Sequence, residues 1–550
     1  MTKLEKLKDT KNINEFAALL NLKPKSLAYI LYIMPNNGKC YESFSIPKKN
    51  GGVRIINSPN ERLKLVQRRL ADLLYDCYDE ITKNKNGTIG LSHGFKRGYS
   101  IFTNSRKHCR KRYVFNIDIK DFFPSINFGR VRGYFINDRN FKLNEKTATI
   151  IAQIACYENQ LPQGSPVSPI ISNLIGNILD VKLLKLSKET KCYYSRYADD
   201  LTFSTNSKQF PSSIALENNS CWVVGEKLNK TIEKSGFKIN ETKVTMQYKY
   251  SRQTCVGLIV NRKVNVRKDY YRKVRAMCHN LLKTNTFYID NDDEENSISQ
   301  LGGMINFIFW IKQHYFKQKT KDKKEDLEAI KKLYRKFLFY KYFVNLERPL
   351  IITEGKSDIT YLKCAMKNLI ESYPDLIEHV DDKYNFKISF FNMTKIIRKV
   401  LIPAEGTSGL LFLMRHYKEE ISKYNFPNVD VPIIIIVDND DGVKEIKKLL
   451  EIQNPMPIYQ PFFKQLYVLF VSNQEKIVIE DLFDEKTREI EIEGKVFNPK
   501  KTDKDEDNDK YFGKIRFSQK VILPNYKTIN FENFKPILDN IRQIIAITKK

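Results

Sequence analysis

The sequence predicts two folds in one chain of 550 residues: an α+β part over residues 1–348, and an α/β part with a mainly parallel sheet over 349–550. Three observations predict this division. Strand-like and helix-like runs alternate regularly only after Pro349, as a parallel sheet with crossover helices requires. The earlier part instead strings helical runs around one alternating strand and one hairpin. The charge also divides: the chain carries 93 Lys and Arg against 64 Asp and Glu, a net +29, yet residues 351–550 hold 31 of each sign. The whole excess therefore lies in the first 350 residues. Such an asymmetry favours a polyanion partner for that part, nucleic acid before a membrane surface. With 42% hydrophobic residues the chain has ample material for cores.

The elements follow in order. Residues 1–110 mix helical patterning with a turn at Asn50-Gly51-Gly52. Val114–Ile119 alternates apolar and polar residues as a half-buried strand does. Helices are expected near 129–137, 144–156 and 168–187, then a hairpin from Tyr193 to Ser204 with Asp199 and Asp200 at its bend. Strands recur at Lys243–Gln247 and Cys255–Val260, followed by basic helices near 267–285, 298–318 and 324–344. The acidic cluster Asp290–Glu295 reads as a solvated loop, and Gln318–Lys324 as a charged connector. After Pro349 the order is strand Leu350–Thr353, helix Ser357–Leu369, strand Lys387–Phe391, helix Thr407–Tyr417, strand Ile433–Val437 and helix Val443–Leu450. The polar tract Lys500–Lys510 reads as a surface loop.

Several function classes are disfavoured. The N-terminus lacks the apolar core of a signal peptide. The longest apolar run, Ile433–Val437, is far too short to cross a bilayer. Nine scattered cysteines form no CxxC pair and read as reduced thiols of a cytoplasmic protein, without structural zinc.

Asp118 falls at the end of a strand run, and Asp199-Asp200 at a hairpin bend about 80 residues later. One strand-end carboxylate beside a carboxylate pair suits two magnesium ions, which phosphoryl transfer uses about 4 Å apart. Without a cation, paired acids at a turn repel. The neighbouring residues narrow the reading. Asp118-Ile119-Lys120-Asp121-Phe122-Phe123-Pro124-Ser125-Ile126, then Leu161-Pro162-Gln163-Gly164-Ser165-Pro166, then Tyr197-Ala198-Asp199-Asp200, resemble the palm motifs of reverse transcriptases. The resemblance covers roughly residues 20–315 and implies a right-hand polymerase: N-terminal helices and fingers over 1–110, palm over 111–250, RNA-binding thumb over 251–318 and a helical connector over 319–348. It further implies that Asp118, Asp199 and Asp200 bind metal. Phe123 would bar a nucleotide 2′-OH, Gln163 and Gly164 would pack on the incoming nucleotide, and Arg54, with Lys49 as a weaker companion, would meet the triphosphate.

The flanks resemble one branch of that family. Asn104-Ser105-Arg106-Lys107-His108 is similar to the Asn-Ala-x-x-His signature of bacterial retron reverse transcriptases, and Cys255-Val256-Gly257 to their Val-Thr-Gly segment. The resemblance implies RNA contacts at Asn104 and His108. The segment after Gly257 mixes cations with rings, and Arg262, Arg267, Lys268, Tyr271 and Arg275 are expected to bind RNA. The implied partners are a structured noncoding RNA, its RNA–DNA product and dNTPs, with synthesis starting from an RNA 2′-OH. No membrane is involved, and a homo-oligomer on the RNA–DNA scaffold is compatible with this picture.

The second part has its own acids. Leu350–Thr353 runs into Glu354-Gly355-Lys356-Ser357-Asp358, and Ile433–Val437 into Asp438-Asn439-Asp440. Strand-end side chains of an open α/β sheet converge in one crevice, and these oxygens suit magnesium. Order and spacing resemble a Toprim domain of the nuclease type over about 349–490. This implies one or two Mg²⁺ ions on Glu354, Asp438 and Asp440, with Glu354 also catalytic and with Glu480 and Lys514 as further effector residues. A haloacid-dehalogenase-like phosphatase also uses Asp-x-Asp, but normally at the start of its domain, and has no role for Glu354-Gly355. The combined expectation is a retron-type RNA-directed DNA polymerase, with two Mg²⁺ ions in its polymerase site, fused to a Toprim nuclease in bacterial antiphage defence. The alternatives are an RNA-scaffolded, toxin–antitoxin-like assembly with incidental polymerase activity, and an intron or diversity-generating reverse transcriptase.

Overall fold

The computed structural model describes residues 1–548 except 38–39, 49–50, 84–90, 220, 290–296, 317–324, 405, 425, 427–429, 454 and 501–509. Lys49, Asn50, the Asp290–Glu295 cluster, the Gln318–Lys324 connector and most of the Lys500–Lys510 tract lie outside the described residues. The described residues form two compact units, Met1–Lys268 and a second that comprises Asp269–Phe316 and the described residues from Glu325 on.

In the first unit, strands β1 (Tyr41–Pro47) and β2 (Val53–Pro59) make an antiparallel hairpin. The central sheet is built on β3 (Tyr113–Lys120), whose burial does not alternate as its sequence pattern does: Val114, Phe115, Ile117, Asp118 and Ile119 are all buried, because both faces of the strand are covered. On one side β3 pairs antiparallel with β5 (Asp200–Thr205), which pairs with β4 (Tyr193–Tyr197). On the other side lie the two-residue β6 (Lys238–Ile239) and β7 (Thr245–Tyr248). Helices Phe128–Asn137, Glu145–Ala155 and Ser168–Glu189 form where expected, the first two capped by the side chains of Asn127 and Asn144. Their apolar faces and the sheet share one core with helix Glu61–Lys83.

Three strand expectations need correction. Residues 241–243 form a 3₁₀ turn, so β7 begins only at Thr245. Cys255–Val260 is not one strand but a minimal hairpin, β8 (Thr254–Cys255) and β9 (Leu258–Ile259). Its turn residues Val256 and Gly257 both have positive φ, +48° and +80°, the conformation two-residue hairpin turns demand. In the second unit, Lys387–Phe391 keeps only two paired residues.

The second unit contains helices Lys268–Thr284, from its second residue on, and Ile298–Phe316, so these two expected thumb elements group with the α/β part. Helix Glu325–Phe339, placed by the sequence in a connector, is no loose tether: Tyr334 packs on Phe309 with ring centroids 5.6 Å apart. Its π-helical continuation Tyr340–Val344 lodges buried Phe343 against Phe391 and Tyr417. The sheet consists of β10 (Leu350–Thr353), β11 (Ser389–Phe390), β12 (Ile433–Val437), β13 (Tyr459–Phe463) and β14 (Leu466–Phe470), in the order β11-β10-β12-β14-β13. The first four are parallel, and β13 is an antiparallel edge that the sequence reading missed. All five residues of β12 are buried, as a strand covered on both faces requires.

Candidate functional site

The β3–β5 register sets Asp118 directly opposite Asp200. Asp199 sits in the bend between β4 and β5, where Ala198 has φ +54°, and its carbonyl accepts from the Ile119 amide at 2.9 Å. The strand end and the bend thus carry the three carboxylates together. Asp118 is 6% exposed, and its Oδ2 accepts from Lys243 Nζ at 2.8 Å and its Oδ1 from Asn240 Nδ2 at 3.3 Å. Burial, reinforced by Asp199 and Asp118, pushes the Asp200 carboxyl up to about 7. Burial and Asp118 raise Asp199 as well, while Lys243 and Arg54 pull the other way. Hydrogen bonding to Asp118 holds the Lys243 ammonium above its ordinary range.

Among the described residues, no three His, Cys, Asp or Glu groups stand as a ready metal cage. In the first unit, Lys243 supplies the positive charge beside Asp118. The donor chemistry still fits a hard dication: buried carboxylates held unfavourably close by the fold gain most from one.

The other expected residues fall into place unevenly. Arg54 is exposed on β2, close enough to lower Asp199. Gly164, at φ +125°, lies so close to β2 that a Cβ would meet Asn57 O at 2.6 Å, and the carbonyl of Gln163 accepts from Asn57 N at 2.8 Å. Phe123 is half-buried between Phe95 and Phe122, at 6.0 and 5.6 Å.

Asn104 and His108 need correction as RNA contacts, because both are fully buried. His108 bridges the hydroxyls of Ser204 (Nδ1, 2.7 Å) and Ser195 (Nε2, 2.7 Å) on β5 and β4, and burial lowers it to about 3, keeping it neutral. Asn104 Nδ2 reaches Cys255 Sγ at 3.3 Å, and the neighbouring Ser105 Oγ donates to Cys255 O at 2.8 Å. The two retron-like signatures therefore pack on one another as structure. Arg262, Arg267, Lys268 and Arg275 are exposed, and Tyr271 is half-buried with Lys312 Nζ 4.4 Å from its ring.

The sequence reading missed the support behind the hairpin. Arg196, fully buried on β4, makes a two-pronged ion pair with Asp180 at 2.7 and 2.8 Å. Its Nη1 donates to Ala198 O at 3.1 Å, inside the bend that carries Asp199. Tyr194 Oη also donates to Asp180, at 2.7 Å. An acid in the middle of the apolar helix Ser168–Glu189 and a lone Arg in a β-patterned run were the available signal. Gly94 packs against the same bend, where a Cβ would meet Ala198 N at 2.6 Å.

In the second unit, Glu354 follows β10 and Asp438 follows the adjacent parallel β12. The acids there sort into two groups. Glu354 Oε1 accepts from both Thr407 N (3.1 Å) and Thr407 Oγ1 (2.8 Å). Asp440 Oδ1 accepts from Gly442 N at 2.9 Å, and the absent Gly442 side chain leaves room for the Thr407 hydroxyl beside it. The second group is Asp438, Glu480, Lys514 and Asp358. Asp438 Oδ1 accepts from Ile479 N at 2.9 Å, and burial with Asp358 and Glu480 pushes it up to about 8. Glu480 is 1% exposed; its Oε2 pairs with Lys514 Nζ at 2.9 Å, while its Oε1 is buried without a partner. Burial works against the Lys514 charge, but Glu480, Asp438 and Asp358 outweigh it. Asp358, not among the expected site residues, is buried and accepts from Gly355 N at 2.8 Å. A buried carboxylate oxygen without a donor suits a cation, so this donor set also fits magnesium.

Comparison with known proteins bears on the first half of the chain. Residues 46–302 match the family described as reverse transcriptase (RNA-dependent DNA polymerase). The retron Mx162 reverse transcriptase of Myxococcus xanthus is 32% identical over 49% of this chain and 57% of its own length. The retron Mx65 enzyme of the same organism is 30% identical over 49% and 60%, and the retron Ec86 enzyme of Escherichia coli 25% identical over 54% and 84%. The chain thus spans less than two thirds of the two Myxococcus relatives. A solved telomerase structure from Candida albicans aligns at 10% identity over 55% of this chain and 60% of that one, with a TM-score of 0.31. Residues 46–302 thus match a reverse transcriptase family model, and the first half of the chain is similar to retron reverse transcriptases.

Proposed function

We propose that the chain is a retron-type RNA-directed DNA polymerase joined to a Toprim-like nuclease. The observation that carries the first half is the convergence of Asp118, Asp199 and Asp200 on one strand end and one bend, inside a domain of reverse transcriptase sequence. These three carboxylates would hold two Mg²⁺ ions, which when bound stabilise the attacking and leaving oxygens of nucleotidyl transfer. The chain's own residues do the rest. Arg54 offers a cation to the triphosphate, Gln163 and Gly164 form the floor under the nucleotide, and the Phe123 ring bars a ribose 2′-OH. The template is a structured noncoding RNA whose own 2′-OH receives the first deoxynucleotide. The test is extension of co-purified RNA with labelled dNTPs. A DNA product released by alkali but carrying a branched ribonucleotide supports this reading, and label that never becomes RNA-linked refutes it.

For the second unit, two strand-end acid motifs on adjacent parallel strands support a magnesium-dependent nuclease. Glu354, Asp438 and Asp440 would hold metal, while buried Glu480 pairs with a half-buried Lys514. Its role would be antiphage defence, restrained by the RNA–DNA product in the cytoplasm. Toxicity of the chain expressed without its RNA, lost in Glu354→Ala, tests this half.

A further inference from the structure

We infer that the end of the central sheet remote from the three carboxylates is an RNA-anchoring platform, built from three basic loops around the almost fully exposed Tyr250. The inference rests on the proposed RNA-directed activity for the identity of the polyanion, and on geometry for the site. Arg110, Lys111 and Arg112 enter β3 at its start. Tyr113 lies five residues before Asp118, about 17 Å along an extended strand. Lys249 and Arg252 leave β7, and Arg262 follows β9. Backbone bonds knit the three loops together: Lys249 N donates to Arg112 O at 2.9 Å, and Arg110 N to Val260 O at 3.1 Å. Arg110 Nε also donates to Arg262 O at 3.0 Å.

The frame beneath is polar and rigid. Gln253, fully buried, donates to Lys111 O at 3.0 Å, and Asn261 Nδ2 donates to Ser251 O at 2.7 Å. No carboxylate occurs in segments 106–113, 247–253 or 261–268. Among the described residues, none of these six cations forms an ion pair. Cations held in fixed loops without local counter-charges raise the potential for a phosphate backbone. The rings specify the form of nucleic acid. Tyr250 is 96% exposed, Tyr248 is 40% exposed, and Tyr193 is 54% exposed with Lys111 Nζ 3.4 Å from its ring centroid. An almost fully exposed ring among cations is a stacking surface for an unpaired base, which a looped RNA presents and a duplex does not. The platform would hold a looped segment of the RNA at a distance from the nucleotidyl-transfer site.

The test is fluorescence anisotropy with a fluorescein-labelled RNA hairpin and the full chain carrying Asp199→Ala, so that binding is read without synthesis. Failure here leaves the polymerase reading standing. Replacing Arg112, Lys249 and Arg252 together by Gln should flatten the slope of log K against log salt by about 2 to 3, roughly 0.7–0.9 for each phosphate contact. Tyr250→Ala, whose side chain lies in solvent and cannot unsettle the fold, should weaken binding about 5- to 100-fold, and Tyr250→Phe should restore it. A slope changed by less than one together with wild-type affinity in Tyr250→Ala would overturn the proposal. So would equal affinity for a fully paired duplex of the same sequence.

Discussion

The two acid clusters solve the same electrostatic problem by different routes. In the first unit, Asp118 and Asp200 face each other across adjacent antiparallel strands, and the balancing Lys243 is half-exposed. In the second, the acids come from strand ends, a helix start and a late turn, and Lys514 is more deeply buried, against a Glu480 that is 1% exposed. A register-built site is fixed by local pairing, and its cation can leave toward solvent. A site assembled from distant segments depends on the core beneath it and keeps its cation.

The largest expected effect tests the register-built site. Asp199→Ala with Asp200→Ala should lower primer extension about 10⁴-fold, roughly 5 kcal/mol of transition-state stabilisation, in a single-turnover assay. Extension within tenfold of wild type would remove these residues from the chemistry. Next comes the support behind the bend. Asp180→Ala leaves the fully buried Arg196 charge uncompensated and should destabilise the first unit by about 3–5 kcal/mol. Trp222 fluorescence in a urea titration reads that unit, and Trp310→Phe silences the chain's other tryptophan. A third experiment asks whether the clusters act independently. Glu354→Ala should reduce nuclease cleavage about 10²-fold, roughly 3 kcal/mol, with primer extension unchanged. A parallel fall in extension would make the two sites one machine.

The smallest effect is a difference in acid sensitivity. His108 titrates near 3 when folded but near 6.5 when unfolded. The unfolded chain therefore binds more protons between those values. The stability this neutral histidine permits is fully present above about pH 6.5 and falls as pH drops toward 3, by up to about 1.4 kcal/mol per pH unit. Burial lowers His93 in the same direction. The four histidines of the second unit are exposed or half-buried. Mild acid should thus move the Trp222 transition before the Trp310 transition, and His108→Asn should shrink the gap.

What the sequence disclosed follows the range of the interactions. Asp118, Asp199 and Asp200 were legible because strand alternation and a hairpin bend are local patterns, and the helices Glu145–Ala155 and Ser168–Glu189 because their apolar faces repeat. Lys243 was not legible as a partner, since it meets Asp118 across 125 residues. Asn104 and His108 looked like polar ligands, yet polarity does not distinguish a side chain facing solvent from one facing two buried serine hydroxyls. Helix Glu325–Phe339 read as a connector because its charged face dominates the sequence, whereas Ile330, Tyr334 and Phe337 bury the other face. In the second unit both acid motifs were visible at strand ends, but their sorting rests on Thr407 in the first turn of helix Gly406–Ile421 and on Ile479 in a short 3₁₀ turn, contacts across 53 and 41 residues that no local pattern signals.

The missing side chain at Gly94 gives the first unit a ruler. A Cβ there would overlap Ala198 N, so the depth of the bend that carries Asp199 is gauged by an atom that is not present. Enlarging residue 94 in steps, to Ala and then Val, would act as a graded wedge, displacing Asp199 by increments while every catalytic group stays chemically intact. Nucleotide addition plotted against wedge size would then give the distance tolerance of the polymerase centre.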